Sequence, residues 1–207
     1  ALMKGSLHTD EMMSQVIKHL RTGRRISHVF LADVPTYPHP LMITDAAIII
    51  EPTLEDKVDI IQNAIDLAIA LGIEVPKVGV LSAVETVNPK IPSTLDAAIL
   101  SKMADRGQIR GGVVDGPLAM DNAVDITAAR IKGIKSAVAG HAEILVAPNL
   151  ESGNMLAKEL TFLAGAEAGG IVLGARCPII LTSRSDDDKA RLASCAVAAL
   201  YARKVPV

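Results

Sequence analysis

The stretch IIIEPTLEDKVDIIQNAIDLAIALGIEVPKVGVL, residues 48–81, decides the fold. Ile48-Ile49-Ile50 predicts a buried strand. Thr53 then opens a helix, with an acidic partner three residues on at Asp56. Val58, Ile61, Ile65, Ala68 and Leu71 recur at helical spacing, and Gly72 stops the run. Pro76 punctuates the chain before a second apolar strand over 78–81. Strand, helix and strand within so few residues predict a crossover unit of a parallel sheet.

The pattern continues on both sides. Towards the N-terminus, Thr9 or Asp10 caps a helix carrying Met12, Met13, Val16, Ile17 and Leu20, stopped by Gly23. A strand over 28–33 and a loop with Pro35, Pro38 and Pro40 lead into an extended segment over 41–50. Towards the C-terminus, helices are predicted over 93–106, 121–132, 151–164 and 186–202, and strands over 111–115, 144–146, 171–174 and 179–181. This alternation predicts an α/β fold, a mostly parallel sheet flanked by helices. Ligands of such sheets gather in the loops at strand ends.

Composition narrows the function. Half of the 207 residues are hydrophobic but only 2% are aromatic, so the core is aliphatic. A net charge of -2 from 21 basic and 23 acidic residues excludes a nucleic-acid footprint, which needs a clustered basic excess. The apolar runs at 45–50 and 170–175 are too short to cross a membrane. No secretory signal is seen, which points to the cytoplasm. Cys177 and Cys195 lack metal-ligand spacing and sit in apolar segments, as buried inert thiols would. The five histidines show no ligand spacing either, and His19 reads as a surface residue. No metal and no bound cofactor are implied. The opening Ala1-Leu2-Met3-Lys4-Gly5 reads like a chain cut from something longer.

Several loops could carry chemistry. Lys4-Gly5 with His8-Thr9 precedes a helix start, either a plain cap or an anion site. Asn88-Pro89-Lys90 follows a strand in a proline-ordered loop. Asp115-Gly116-Pro117, with Asp121-Asn122 behind it, is either a turn or a polar site. Glu151-Ser152-Gly153-Asn154 is a cap or an anion cradle. Ser183-Arg184-Ser185 offers a hydroxyl and a planar cation, which suit phosphate or a developing oxyanion. Asp186-Asp187-Asp188 suits the start of the last helix better than a general base, since a helix N-terminus favours the ionised carboxylate.

Taken together and in this order, these loops resemble the phosphate acetyl- and butyryltransferases. The resemblance spans nearly the whole chain. It is closest, at residues 24–29 and 88–96, to the transferase half of bifunctional enoyl-CoA hydratase/phosphate acetyltransferase proteins. It implies an isocitrate/isopropylmalate dehydrogenase-like fold of two α/β domains. Residues 10–172 would form the second domain, and 1–9 with 173–207 the remainder of a first domain whose N-terminal part is missing. It implies a homodimer acting on acyl-CoA and phosphate, with coenzyme A as substrate. Ser183 and Arg184 match the family's Ser-Arg pair and are implied to be catalytic. The family's aspartate base aligns with Ala190 and a phosphate-holding arginine with Thr161, which leaves Asp186 and Arg176 as nearby substitutes. Lys4, Gly5, His8, Thr9, Asn88, Lys90, Asp115, Asp121, Asn122 and Asn154 are the implied substrate-binding residues. Two rival readings accompany this one. A metal-assisted decarboxylating dehydrogenase of the same fold, using NAD, would have to use Asp115, Asp121 and Asp125. A folded fragment without activity of its own would serve CoA binding or dimerisation.

Overall fold

The computed structural model describes residues 1–183 and 186–204. Eight strands and seven helices follow one another as β1 (Leu2–Met3), α1 (Thr9–His19), β2 (Ser27–Asp33), β3 (Leu41–Thr44), α2 (Leu54–Ala70), β4 (Lys77–Leu81), α3 (Pro92–Asp105), β5 (Val113–Leu118), α4 (Met120–Val124), α5 (Ile126–Ile131), β6 (Ile144–Val146), α6 (Leu150–Phe162), β7 (Glu167–Leu173), β8 (Ile179–Ile180) and α7 (Asp188–Lys204). The strands form a single sheet in the order β1-β8-β7-β2-β3-β6-β4-β5. The half from β3 to β5 is parallel throughout. β2 runs against both its neighbours, β3 and β7; β8 runs against β7, and β1 pairs with β8 in parallel.

Both faces are covered, as a largely parallel sheet requires. The main core packs Val29, Val78, Val80, Ile144, Val146 and Ile171 against the apolar sides of α2, α3 and α7. On the other face α1 packs on Val172 and Ile179, and α6 on the surroundings of Ala32 and Ile43. There α4 and α5 pack with Leu118 and Leu145. No described helix is long and apolar enough to cross a membrane.

The helix of the opening stretch forms as read: Thr53 Oγ1 accepts from the Asp56 N–H, and Asp56 accepts from the Thr53 N–H, closing a capping box. Four expectations change. Residues 48–50 are not a strand, because the Asp45 carboxylate collects the N–H groups of Ala47, Ile48 and Ile49 at 2.9–3.2 Å. That local alternative bends the chain away from the ladder and leaves Ile50 68% exposed. The helix over 121–132 is broken into α4 and α5, because Asp125 is extended and accepts from the Thr127 N–H as a new cap. β5 runs on through Pro117, which the sheet tolerates because β5 is an edge strand. Cys177 and Cys195 are half-buried rather than buried.

Candidate active site

A cleft of about 1080 Å³ opens where β8 leaves the sheet and β7 enters it. Its walls come from both ends of the chain and from the middle: Lys4 and Thr9, the β2 residues His28 and Phe30, one side of α6, and the segment from Leu181 into α7. That volume is at the upper end for small-molecule sites, roughly 300–1,000 Å³.

Each wall is fixed by local chemistry. The Lys4 N–H donates to the Ile180 carbonyl at 2.9 Å, continuing the β1–β8 pairing and placing Lys4 beside Thr182 and Ser183. Lys4 is only 9% exposed, and among the described residues it forms no ion pair. A buried stem with an uncompensated ammonium at its tip attracts an anion. Across the cleft, α6 starts at a capping box in which Asn149 Oδ1 accepts from the Ser152 N–H at 3.0 Å. Its next turn carries Asn154, whose side-chain amide donates to the Ala46 carbonyl at 3.0 Å. Gly153 lets the helix come this close, since a Cβ there would lie 2.8 Å from the Asp45 carbonyl. Lys158 and Thr161 follow on the same side of α6.

The segment after β8 is organised by Asp186, whose Oδ2 accepts the Ser183 N–H at 2.7 Å. Ser183 is exposed, and both residues line the cleft. Lys189 reaches Glu167 at 3.3 Å at the open rim. Ala190 and Thr161, the positions where the family's aspartate and arginine align, line this same cleft.

Of the residues singled out in the sequence, Lys4, Thr9, Asn154, Ser183 and Asp186 meet here. His8 precedes α1 as its cap position without a side-chain bond to the helix. Gly5 borders a separate apolar groove with Leu2, Met3 and Leu7. Arg176 pairs its main chain with the Leu20 carbonyl at 2.9 Å. Arg184 lies outside the described residues.

The remaining predicted residues stand apart from the cleft lining. Asn88 accepts the Lys90 N–H and ties its loop to Thr94. Asp115 accepts the N–H of Gly116. Asp121 and Glu85 share Lys132, whose ammonium holds both carboxyls below their usual range and is itself raised. The Asn122 amide donates to Glu85 at 3.3 Å. The three aspartates a metal-dependent reaction would need are thus engaged separately. Among the described residues no three His, Cys, Asp or Glu side chains are placed to hold a metal ion.

Sequence reasoning missed His28, Phe30, Lys158 and Thr182. A histidine directly ahead of the apolar run Val29–Ala32 is weak evidence by itself. Its signal is only that a polar residue stands at the start of a strand.

Comparison with known proteins agrees with the geometry. A family model described as phosphate acetyl/butaryl transferase matches residues 1–199. A phosphate acetyltransferase of Rhizobium meliloti is 67% identical over 206 residues, covering 98% of this chain and 65% of that protein. One from Rickettsia felis is 63% identical, covering 96% of this chain and 58% of that protein. A phosphate butyryltransferase of Clostridium acetobutylicum is 47% identical, covering 97% and 68%. The chain thus spans roughly three-fifths to two-thirds of these relatives. The crystal structure of a branched-chain phosphotransacylase from Enterococcus faecalis V583 superposes with a TM-score of 0.88 at 33% identity, covering 97% of this chain and 72% of that one. The chain belongs to the phosphate acetyl/butaryl transferase family.

Proposed function

We propose that this protein transfers a short acyl group between coenzyme A and inorganic phosphate: acyl-CoA plus phosphate gives acyl phosphate plus CoA. The observation that carries this reading is the meeting of Lys4, Thr9, Asn154, Ser183 and Asp186 around one cleft, from segments far apart in the chain. Family membership and the names of the relatives support the same chemistry.

In this reaction an oxygen of hydrogen phosphate attacks the thioester carbonyl carbon, the C–S bond breaks, and the sulfur leaves as the CoA thiolate, which takes up the proton that the phosphate gives up. No covalent enzyme intermediate is needed, because holding the two substrates together supplies much of the rate. Lys4 and Lys158 suit the phosphate groups. The Ser183 hydroxyl and Arg184 suit the charge developing on carbonyl oxygen and phosphate. Asp186 is the candidate proton acceptor. Asn88, Lys90, Asp115, Asp121, Asn122, His8, Gly5 and Arg176 would act in substrate binding from outside the cleft lining, or when longer parts of acyl-CoA are engaged.

The same reading takes the fold as isocitrate/isopropylmalate dehydrogenase-like, with 10–172 as one domain and 1–9 with 173–207 as part of another. It takes the protein as a cytoplasmic homodimer with no bound cofactor. The pairing of β1 with β8 supports joining the two chain ends in one unit.

The test is release of free CoA from acetyl-, propionyl- and butyryl-CoA, with phosphate present and absent. Phosphate-dependent release is expected. Ser183→Ala or Arg184→Ala should each lower turnover by roughly 10²–10³-fold, the scale of losing one donor to a developing oxyanion. Release independent of phosphate overturns the reading, and full turnover in both variants removes Ser183 and Arg184 from the mechanism.

A further inference from the structure

We propose that His28 is a further substrate-contacting residue of the cleft, its ring N–H donating to the thioester carbonyl oxygen of acyl-CoA. The assignment rests on the acyltransferase reading of the cleft and extends it to a residue that was not among the candidate site residues.

His28 lies on β2 and lines the cleft, yet it is only 1% exposed. Its Nδ1 is buried without a hydrogen-bond partner. Nearly all buried polar groups are satisfied, and an orphan destabilises the fold. An apolar side chain would serve better if packing were the only need.

The surroundings make room for this ring specifically. A Cβ on Gly170 would lie 2.7 Å from the imidazole Cε1 and 2.9 Å from Nε2, so β7 must carry glycine opposite it. Phe30, also in the cleft wall, stands beside the ring with centroids 4.2 Å apart at 59°. Because Nδ1 is closed off from solvent, contact with the carbonyl oxygen requires the imidazole or Phe30 to shift when substrate binds.

The chemistry selects the partner. Burial pushes the imidazole down to about 3, so the ring is neutral at physiological pH and offers one N–H and one lone pair. A neutral donor suits an uncharged carbonyl, whereas phosphate suits the ammonium groups of Lys4 and Lys158. No carboxylate competes for the ring. Asp45, just past the end of β3, spends both oxygens on main-chain N–H groups, those of Ala47, Ile48 and Ile49 and that of His28 itself.

Two measurements on the full chain test this. In wild type labelled with ¹⁵N-histidine, His28 is recognised as the imidazole least broadened by a soluble paramagnetic agent, the other four histidines being exposed. Its ring nitrogens should shift on adding acetyl-CoA without phosphate, and stay in place with inorganic phosphate alone. In calorimetry, His28→Leu should weaken acetyl-CoA by about tenfold, the scale of one lost hydrogen bond. His28→Asn should recover part of that loss, and free CoA should bind both variants as it binds wild type. Unmoved ring nitrogens in wild type overturn the assignment even if the variants fail to fold. So does unchanged acetyl-CoA affinity in folded His28→Leu, or wild type that binds no acetyl-CoA at all. Binding with the expected shifts, but no phosphate-dependent CoA release, would keep His28 as a thioester ligand and defeat only the transferase reading.

Discussion

Two buried titratable residues, His28 on β2 and Asp45 just past the end of β3, pull stability in opposite directions with pH. Burial raises Asp45 from 3.8 to about 6, against the N–H groups that favour its charge. The folded chain therefore holds this proton more tightly than the unfolded chain. Its contribution is full below 3.8 and is lost as pH rises through about 6. His28 behaves oppositely, being lowered from 6.5 to about 3: its contribution is full above 6.5 and is lost as pH falls through about 3. His28→Leu should therefore flatten the acid limb of a melting-temperature profile taken between pH 7 and pH 4. Asp45→Asn should remove the gain in stability that protonation gives between pH 7 and pH 5. An unchanged acid limb in His28→Leu would mean that the imidazole is already charged in the folded chain. Neither residue was legible in the sequence as anything but part of an apolar stretch. His28 owes its character to Gly170 and Phe30, and Asp45 to a turn, and no spacing along the chain encodes those neighbours.

At the level of elements, legibility followed local self-sufficiency. The helix α2 carries its own cap, periodicity and stop, so its sequence describes it completely. The stretch 48–50 reads as a strand by composition, and only the competing Asp45 carboxylate decides otherwise. The start of β7 was hidden because Gly169 and Gly170 erase the strand pattern there, while both glycines answer to tertiary packing against Ser194 and His28. The site divided the same way. The loop at Ser183 and Asn154 on α6 could be found from residue types and family pattern, whereas Lys158, one turn further along α6, could not. Packing between elements also makes a prediction. Lys57 on α2 is 5% exposed and meets Asp96 on α3 at 2.6 Å. Asp96→Ala strands a buried ammonium and should cost about 3 kcal/mol in denaturant unfolding. Lys57→Met with Asp96→Leu should recover most of that loss, because it removes the charge together with its partner. A single variant within about 0.5 kcal/mol of wild type would show that water reaches Lys57.

Across the whole molecule, the sheet is unevenly stitched, and the cleft lies along the weak seam. β2 pairs with β7 over seven residues, whereas β8 joins β7 through the single pair Val172–Ile179. β1 then rests on β8 by two residues, at an open edge bearing the half-exposed Leu2 and Met3. Free energy of local opening follows such differences in pairing and burial. Amides of Lys4 and Ile180 should therefore exchange with solvent well before those of Ile43, Leu145 and Val146 in the parallel half. Lys4 and Ser183 sit on the β1–β8 side of the seam, and Asn154 and Lys158 on the other, so opening it separates the two walls. An acyl-CoA that bridges the walls should slow exchange at Lys4 and Ile180 while leaving the parallel half unchanged. Equal protection of both regions without ligand would make the sheet one cooperative unit and count against a domain boundary near residue 172. Protection confined to the parallel half on adding acyl-CoA would put the ligand elsewhere than in the cleft.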